Sequence, residues 1–229
     1  MTEPTNVGRA ALARFIAKIL AAQLKKVLAR MPSDNPMTVL WTDDFWEEQA
    51  RSLEPFRTKL REVAERGARD TLNRLGFNVG QTGYIPTEEI LGWIERYSFE
   101  MIGGITETSR RYVERALIKA FTTSGFTKGD FEALISPWFG PVRAEMIATT
   151  ELTRAYYEGG AAAIRQVEDA GFEMVHIWNT NNDGLVCDIC YPRNQTAGYG
   201  YPAGDYEYGW EDPPPAHPRC RCWVTYKLI

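Results

Sequence analysis

The chain has 229 residues and a mass of 26.0 kDa, which is room for one large domain or two small ones. Hydrophobic residues make up 44% and charged residues 24%, a balance that excludes a disordered, collagenous or repeat-biased polymer. A net charge of −4 excludes nucleic-acid binding through overall charge and leaves only a local basic patch for that role.

The first two thirds read as helical. Phe15, Ile16, Ile19, Leu20, Leu24, Val27 and Leu28 recur at spacings of three and four, so a first helix presents one broad apolar face. Arg14, Lys18 and Lys25 fall together on the opposite face, and six basic residues with no acid lie between Arg9 and Arg30. Pro32 stops this helix and residues 33–36 form a turn. A second helix opens after the N-cap Thr42, with Asp43 and Asp44 in its favourable first turn. It runs to Leu75 and Gly76, with Pro55 as an interruption or kink. Thr87-Glu88-Glu89 opens a third helix, and Gly103-Gly104 is expected to separate it from a fourth over residues 105–121. Thr127 and Asp130 have the spacing of a capping box. A long helix is expected from Gly140-Pro141 to Ala170, closed by Gly171. Within it Gly159-Gly160 either weakens one turn or permits close packing.

The pattern changes after Gly171. Phe172, Met174, His176 and Trp178 alternate with other residues at a strand period. Asn181-Asn182-Asp183-Gly184 reads as a hairpin turn, with Leu185 and Val186 starting the returning strand. Residues 191–215 are rich in Gly, Pro and Tyr and read as a long loop, and residues 222–226 as a terminal strand. The expected fold class is α+β: a helical region over 1–139, then a long helix and a small β-rich module over 140–229. No segment approaches the ~18 uncharged apolar residues of a membrane span. Residues 1–10 lack a secretory pattern, so the expectation is a soluble intracellular protein without membrane contact.

All four cysteines, Cys187, Cys190, Cys220 and Cys222, lie near the C-terminal end. In an intracellular setting such clustering points to metal or redox chemistry rather than to disulfides. Cys187-x2-Cys190 can present two sulfurs to one ion from a tight turn, and His217-x2-Cys220 can present an imidazole and a third sulfur. Three thiolates and one imidazole suit a tetrahedral zinc ion. Cys187, Cys190, His217 and Cys220 are the favoured ligands, with Cys222 as the alternative to Cys220. Such a set fills the coordination sphere and leaves a charge near −1, which suits a structural ion. A catalytic ion would need an open position and a base, for which Asp183 and Glu151 are the candidates.

Glu151 and Arg154 are i,i+3 neighbours and suit a surface ion pair; alternatively Arg154 reaches Asp183 and ties the helix to the hairpin. His176 reads as a packed or edge histidine. The aromatic residues Tyr191, Tyr199, Tyr201, Tyr206, Tyr208 and Trp210 either anchor an interface or pack over the metal site. The basic helix has a solvated face at Arg14, Lys18 and Lys25, or docks onto a protein partner through its broad apolar face, or contacts DNA. No P-loop, dinucleotide fingerprint or nucleophile elbow occurs.

Several of these residues form a pattern. Thr150-Glu151-Leu152-Thr153-Arg154-Ala155, then Trp178-Asn179-Thr180, Asp183, Cys187-x2-Cys190 and finally His217-Pro218-Arg219-Cys220-Arg221-Cys222 resemble the phage Mu F-type minor head proteins, or phage head-morphogenesis proteins. The likeness covers residues 140–229. It departs from the family in the loop after Cys190, where the first glycine arrives only at Gly198. The resemblance implies a non-enzymatic virion component at the portal vertex and capsid interior, acting in head assembly and in DNA packaging or ejection. It implies the portal protein and the major capsid or scaffold protein as partners; packaged DNA is a further candidate partner, through the basic face of Arg14, Lys18 and Lys25. Glu151, Arg154, Trp178 and Asp183 are then structural signature residues. The rival expectations are a zinc-dependent nuclease or hydrolase acting on phage DNA, and a DNA-binding accessory head protein.

Overall fold

The computed structural model describes residues 3–30, 42–77, 79, 86–197, 210 and 212–229. Six helices carry most of the described chain: α1 (Arg9–Arg30), α2 (Asp43–Arg51), α3 (Pro55–Arg74), α4 (Thr87–Thr122), α5 (Lys128–Ile135) and α6 (Pro141–Asp169). Two strands follow, β1 (Met174–Asn179) and β2 (Trp223–Leu228), paired antiparallel from Met174 opposite Leu228 to Asn179 opposite Trp223. The chain is therefore mostly helical with a small two-stranded sheet near its C-terminal end. No helix among the described residues is long and apolar enough to cross a membrane. Pro32, the turn expected at 33–36 and Tyr199, Tyr201, Tyr206 and Tyr208 lie outside the described residues.

The chain divides into two compact units whose boundaries fall within helices, and the division is not a single cut near residue 140. One unit joins residues 1–9, 58–95 and 148–229; the other joins 10–57 and 96–147. In the second unit α1 buries Leu12, Ile16 and Leu20, an i, i+4, i+8 row, and Val27 two turns further along the same face. Gln23 lies on the same face and is buried. It donates to the carbonyl of Gln49 (2.9 Å) and to the Ser52 hydroxyl (3.0 Å), which satisfies an amide that burial would otherwise penalise. Arg143 is also buried there. Its guanidinium donates to Ser109 Oγ (2.9 Å) and to the carbonyls of Trp138 (2.6 Å) and Ile105 (2.8 Å). Loss of water pulls its pKa down to about 10, so it stays charged near neutrality.

Local signals hold where they are strong. Thr127 and Asp130 form the expected capping box, with the Thr127 N–H donating to Asp130 Oδ2 (2.8 Å) and the Asp130 N–H to Thr127 Oγ1 (3.2 Å). Pro55 starts α3 after a break that follows α2, as a ring with fixed φ and no N–H can at a first helical turn. Gly103-Gly104 does not divide a helix, contrary to expectation: α4 runs unbroken for 36 residues. Each exposed glycine costs a helix about 1 kcal/mol against alanine, and burial of Met101, Ile102 and Ile105 on the flanking turns outweighs that cost.

Gly159 serves close packing. A Cβ built there would stand 1.8 Å from the carbonyl oxygen of Ala64, and one built at Gly67 would stand 2.1 Å from that of Tyr156. Helices α3 and α6 thus meet backbone to backbone through a reciprocal pair of glycines, which fixes where α6 lies within its unit. Opposite signs follow for two glycine-to-alanine changes. Gly103→Ala meets no atom within 4 Å and is expected to raise stability by about 0.5–1 kcal/mol. Gly159→Ala gains the same propensity but forces the helices apart, for a net loss of about 2 kcal/mol or more. Thermal unfolding of the two variants checks both.

Candidate metal centre

Two tight turns from separate parts of the chain build the site. In the first, the N–H groups of Cys190 (3.0 Å) and Tyr191 (2.9 Å) donate to the Cys187 carbonyl, so the sulfurs of Cys187 and Cys190 fall on one side. In the second, the Cys220 N–H donates to the His217 carbonyl (3.1 Å), and Arg219 takes φ 67°, the left-handed region, to complete the bend. The His217 Nδ1 lies 2.7 Å from the Pro218 carbonyl. A carbonyl only accepts, so Nδ1 carries the hydrogen and the Nε2 lone pair of the neutral ring is left for a metal. That Nε2 lies 3.1 Å from Cys187 Sγ and 3.2 Å from Cys190 Sγ.

The third sulfur completes the meeting of the turns. Cys190 Sγ and Cys220 Sγ are 3.8 Å apart. All four cysteines are free thiols. Zn–S bonds of about 2.3 Å at a tetrahedral angle require S···S separations of about 3.8 Å, so this edge has the length a shared ion would impose. Two donor groups emerge, Cys187–Cys190–His217 and Cys190–Cys220–Cys222, each with its atoms within 4.8 Å of one another and both containing Cys190. These groups could hold a metal ion. Cys222 lies on the side of Cys220, as expected of residues two apart leading into a strand.

The surroundings are apolar and aromatic. Cys190, Cys220 and Cys222 are buried with Trp178, Trp210 and Val224. Trp178 is fully buried and meets Trp210 edge to face with ring centres 5.3 Å apart, and the Arg193 guanidinium lies 5.2 Å from its ring. In this setting the sulfurs share hydrogens. The Cys220 thiol is pulled far below its usual range because Cys190 and then Cys222 donate to its sulfur. Cys190, the donor to Cys220, is pushed up correspondingly.

Helix α6 positions the second turn. Thr150 Oγ1 accepts from the Arg219 N–H (2.9 Å), and the Thr153 hydroxyl donates to the Cys220 carbonyl (2.8 Å). Residues 150 and 153 are one helical turn apart and share a face, so one stretch of helix holds both sides of the His217–Cys220 bend. Sequence reasoning singled out Glu151 and Arg154 in this run; the threonines between and beside them form the contacts described here.

Asp183 is held by Arg221, which sequence reasoning had not singled out. The guanidinium grips both carboxylate oxygens, at 2.7 and 2.9 Å, and this hydrogen-bonded pairing holds the Asp183 carboxyl below its usual range. Glu3 was also missed. It is buried, accepts from Asn181 Nδ2 (2.8 Å) and lies 3.7 Å from Arg221, bringing the start of the chain against the loop that precedes Cys187. No sequence periodicity signals either contact, since each joins residues far apart in the chain.

The hairpin expected at 181–186 does not form. The backbone there is spent on a turn in which Asp183 accepts from Leu185 N–H (3.1 Å) and its carbonyl from Val186 N–H (3.2 Å). The second edge of β1 is taken by a later segment: Trp178 N–H donates to Thr196 (3.0 Å), Gln195 N–H donates to Trp178 (2.8 Å), and Ile177 bridges to Ala197. His176 stands outside the cluster, 3.1 Å from Glu168 and edge-on to Tyr226. Of the aromatic loop, Trp210 packs into the core while Tyr191 is exposed.

Comparison of the chain with protein-family models, curated proteins and solved structures finds no match. The site therefore stands on its own geometry. Thr153→Val, which leaves a buried carbonyl without its donor, is expected to cost about 1–3 kcal/mol. Thr153→Ser should recover most of the loss in the same calorimetric unfolding measurement, because it keeps the hydroxyl.

Proposed function

We propose that the chain is a structural, non-enzymatic minor head protein of a tailed phage or prophage. In this reading its C-terminal module is held by a zinc ion on Cys187, Cys190, His217 and Cys220, with Cys222 as the alternative donor. The observation that carries the metal assignment is the meeting of the two turns at Cys190, whose sulfur lies 3.2 Å from His217 Nε2 and 3.8 Å from Cys220 Sγ and belongs to both donor groups. When bound, zinc in a set filled by three thiolates and an imidazole supplies folding energy rather than an activated water. The locked state of Asp183 supports the same reading. Its two oxygens are taken by Arg221, so this candidate base is poorly disposed to serve as one.

The head-protein assignment rests on the resemblance of residues 140–229 to the phage Mu F-type minor head proteins. What supports it is that the residues carrying the resemblance are neighbours in space. The run at 150–155 touches the His217–Cys220 turn, Trp178 packs against Cys190, Cys220 and Cys222, and Asp183 pairs with Arg221 between two of those cysteines. The helical region over 1–139 would dock on the portal, the scaffold or the inner shell, and the protein would reside in the virion.

Two measurements test the two assignments separately. The purified chain is expected to carry one zinc per molecule. A strong chelator under reducing conditions should abolish the near-ultraviolet dichroism of Trp178, Trp210 and Trp223, as should Cys187→Ala or His217→Ala. Retention of that signal in metal-free protein contradicts the structural ion. Affinity capture with the portal protein of the same phage, and mass spectrometry of purified particles, are expected to find the chain in both; absence from the particles contradicts the head assignment.

A further inference from the structure

Helix α1, in the unit formed by residues 10–57 and 96–147, has a charged surface with which no described residue forms an ion pair. Arg14, Lys18 and Lys25 are exposed and form no ion pair among the described residues, whereas the neighbouring Lys26 is engaged by Glu48 at 2.8 Å. No acid occurs between Arg9 and Arg30, so these like charges repel one another along a single ridge. On one side of the ridge lies an open groove of about 370 Å³ formed by Ala21, Leu24, Leu28 and Ala29, with Lys25 and Lys128 at its rim. Ala21, Leu24 and Leu28 stand at i, i+3 and i+7. That is the spacing at which one helix receives the side chains of another laid along it.

We propose that this face of α1 is the docking surface for an acidic amphipathic helix of a partner protein. The partner's apolar row seats in the Leu24–Leu28 groove, and its carboxylates lie over Lys18 and Lys25. The combination selects this occupant. Duplex DNA would engage the ridge through phosphates and leave the apolar groove in water. A helix with leucines on one face and carboxylates beside them covers both, burying apolar area while supplying the charge the ridge lacks. The inference goes beyond the metal reading and does not rest on it, since this unit contains none of the cysteine or histidine donors.

The test uses the full chain and a fluorescent 21-residue helical peptide with leucine at heptad positions a and d and glutamate at e and g. A second peptide carries lysine at e and g. Anisotropy titration is expected to show binding of the glutamate peptide and none of the lysine peptide. Lys18→Glu with Lys25→Glu should weaken the glutamate peptide at least tenfold and create binding of the lysine peptide. Leu24→Asp, with helicity checked by circular dichroism, should weaken the glutamate peptide at least tenfold. The charge reversal keeps the test decisive even where Leu24→Asp disturbs the fold. Equal binding of both peptides, indifference to the charge reversal, or displacement of the peptide by a 30-base-pair DNA duplex at lower concentration would each overturn the proposal.

Discussion

The constraint on which the C-terminal module depends is the packing of Cys190, Cys220 and Cys222 against buried tryptophans, with Cys187 and His217 half-buried beside them. Cys190, Cys220 and Cys222 have lost nearly all contact with water, and a thiolate formed at Cys220 is stabilised by neighbouring thiols and by the backbone of Cys222 and Ala216. Burial of a charge without a partner is costly, and the cluster gathers more donors than a set of inert thiols needs. Between β1 and β2 the described residues around the cysteines lie outside the strands. They are held by two short turns, an arginine–carboxylate pair and the hydroxyls of one helix. A centre that bonds both turns at once would convert these individually modest interactions into one rigid body.

The route from sequence to that centre passes through helix packing. Gly67 and Gly159 let α3 and α6 approach until backbone touches backbone. The face of α6 that carries Thr150 and Thr153 then meets the His217–Cys220 turn. Bulk at either glycine would be felt first in the helix pair and then at the cysteines. The Thr150 and Thr153 hydroxyls act on the backbone of the turn rather than on its side chains, so they position donors without competing for them.

The parts of this arrangement legible in the sequence are those encoded by local spacing. Cys187-x2-Cys190 and His217-x2-Cys220 each specify a turn, and two such turns among so few cysteines and histidines specify their meeting. The helix starts at Thr42 and Thr127, the long α6 and the terminal strand follow from caps, glycines and period. The partner of β1 was not legible, because Asn181-Asn182-Asp183-Gly184 has hairpin composition while the edge it would fill is claimed by Gln195, Thr196 and Ala197. Nor were Glu3, Thr153 and Arg221, whose contacts span long stretches of chain. The continuity of α4 through Gly103-Gly104 was missed because propensity weighs each residue alone, whereas burial of Met101, Ile102 and Ile105 acts on the whole helix.

The most direct test of the central claim is X-ray absorption at the zinc edge of the purified, reduced protein. The account requires a four-coordinate ion with three sulfur neighbours near 2.3 Å and one nitrogen near 2.0 Å, and no oxygen scatterer. An oxygen ligand in that shell, or stoichiometric folded protein with no zinc edge at all, would contradict it.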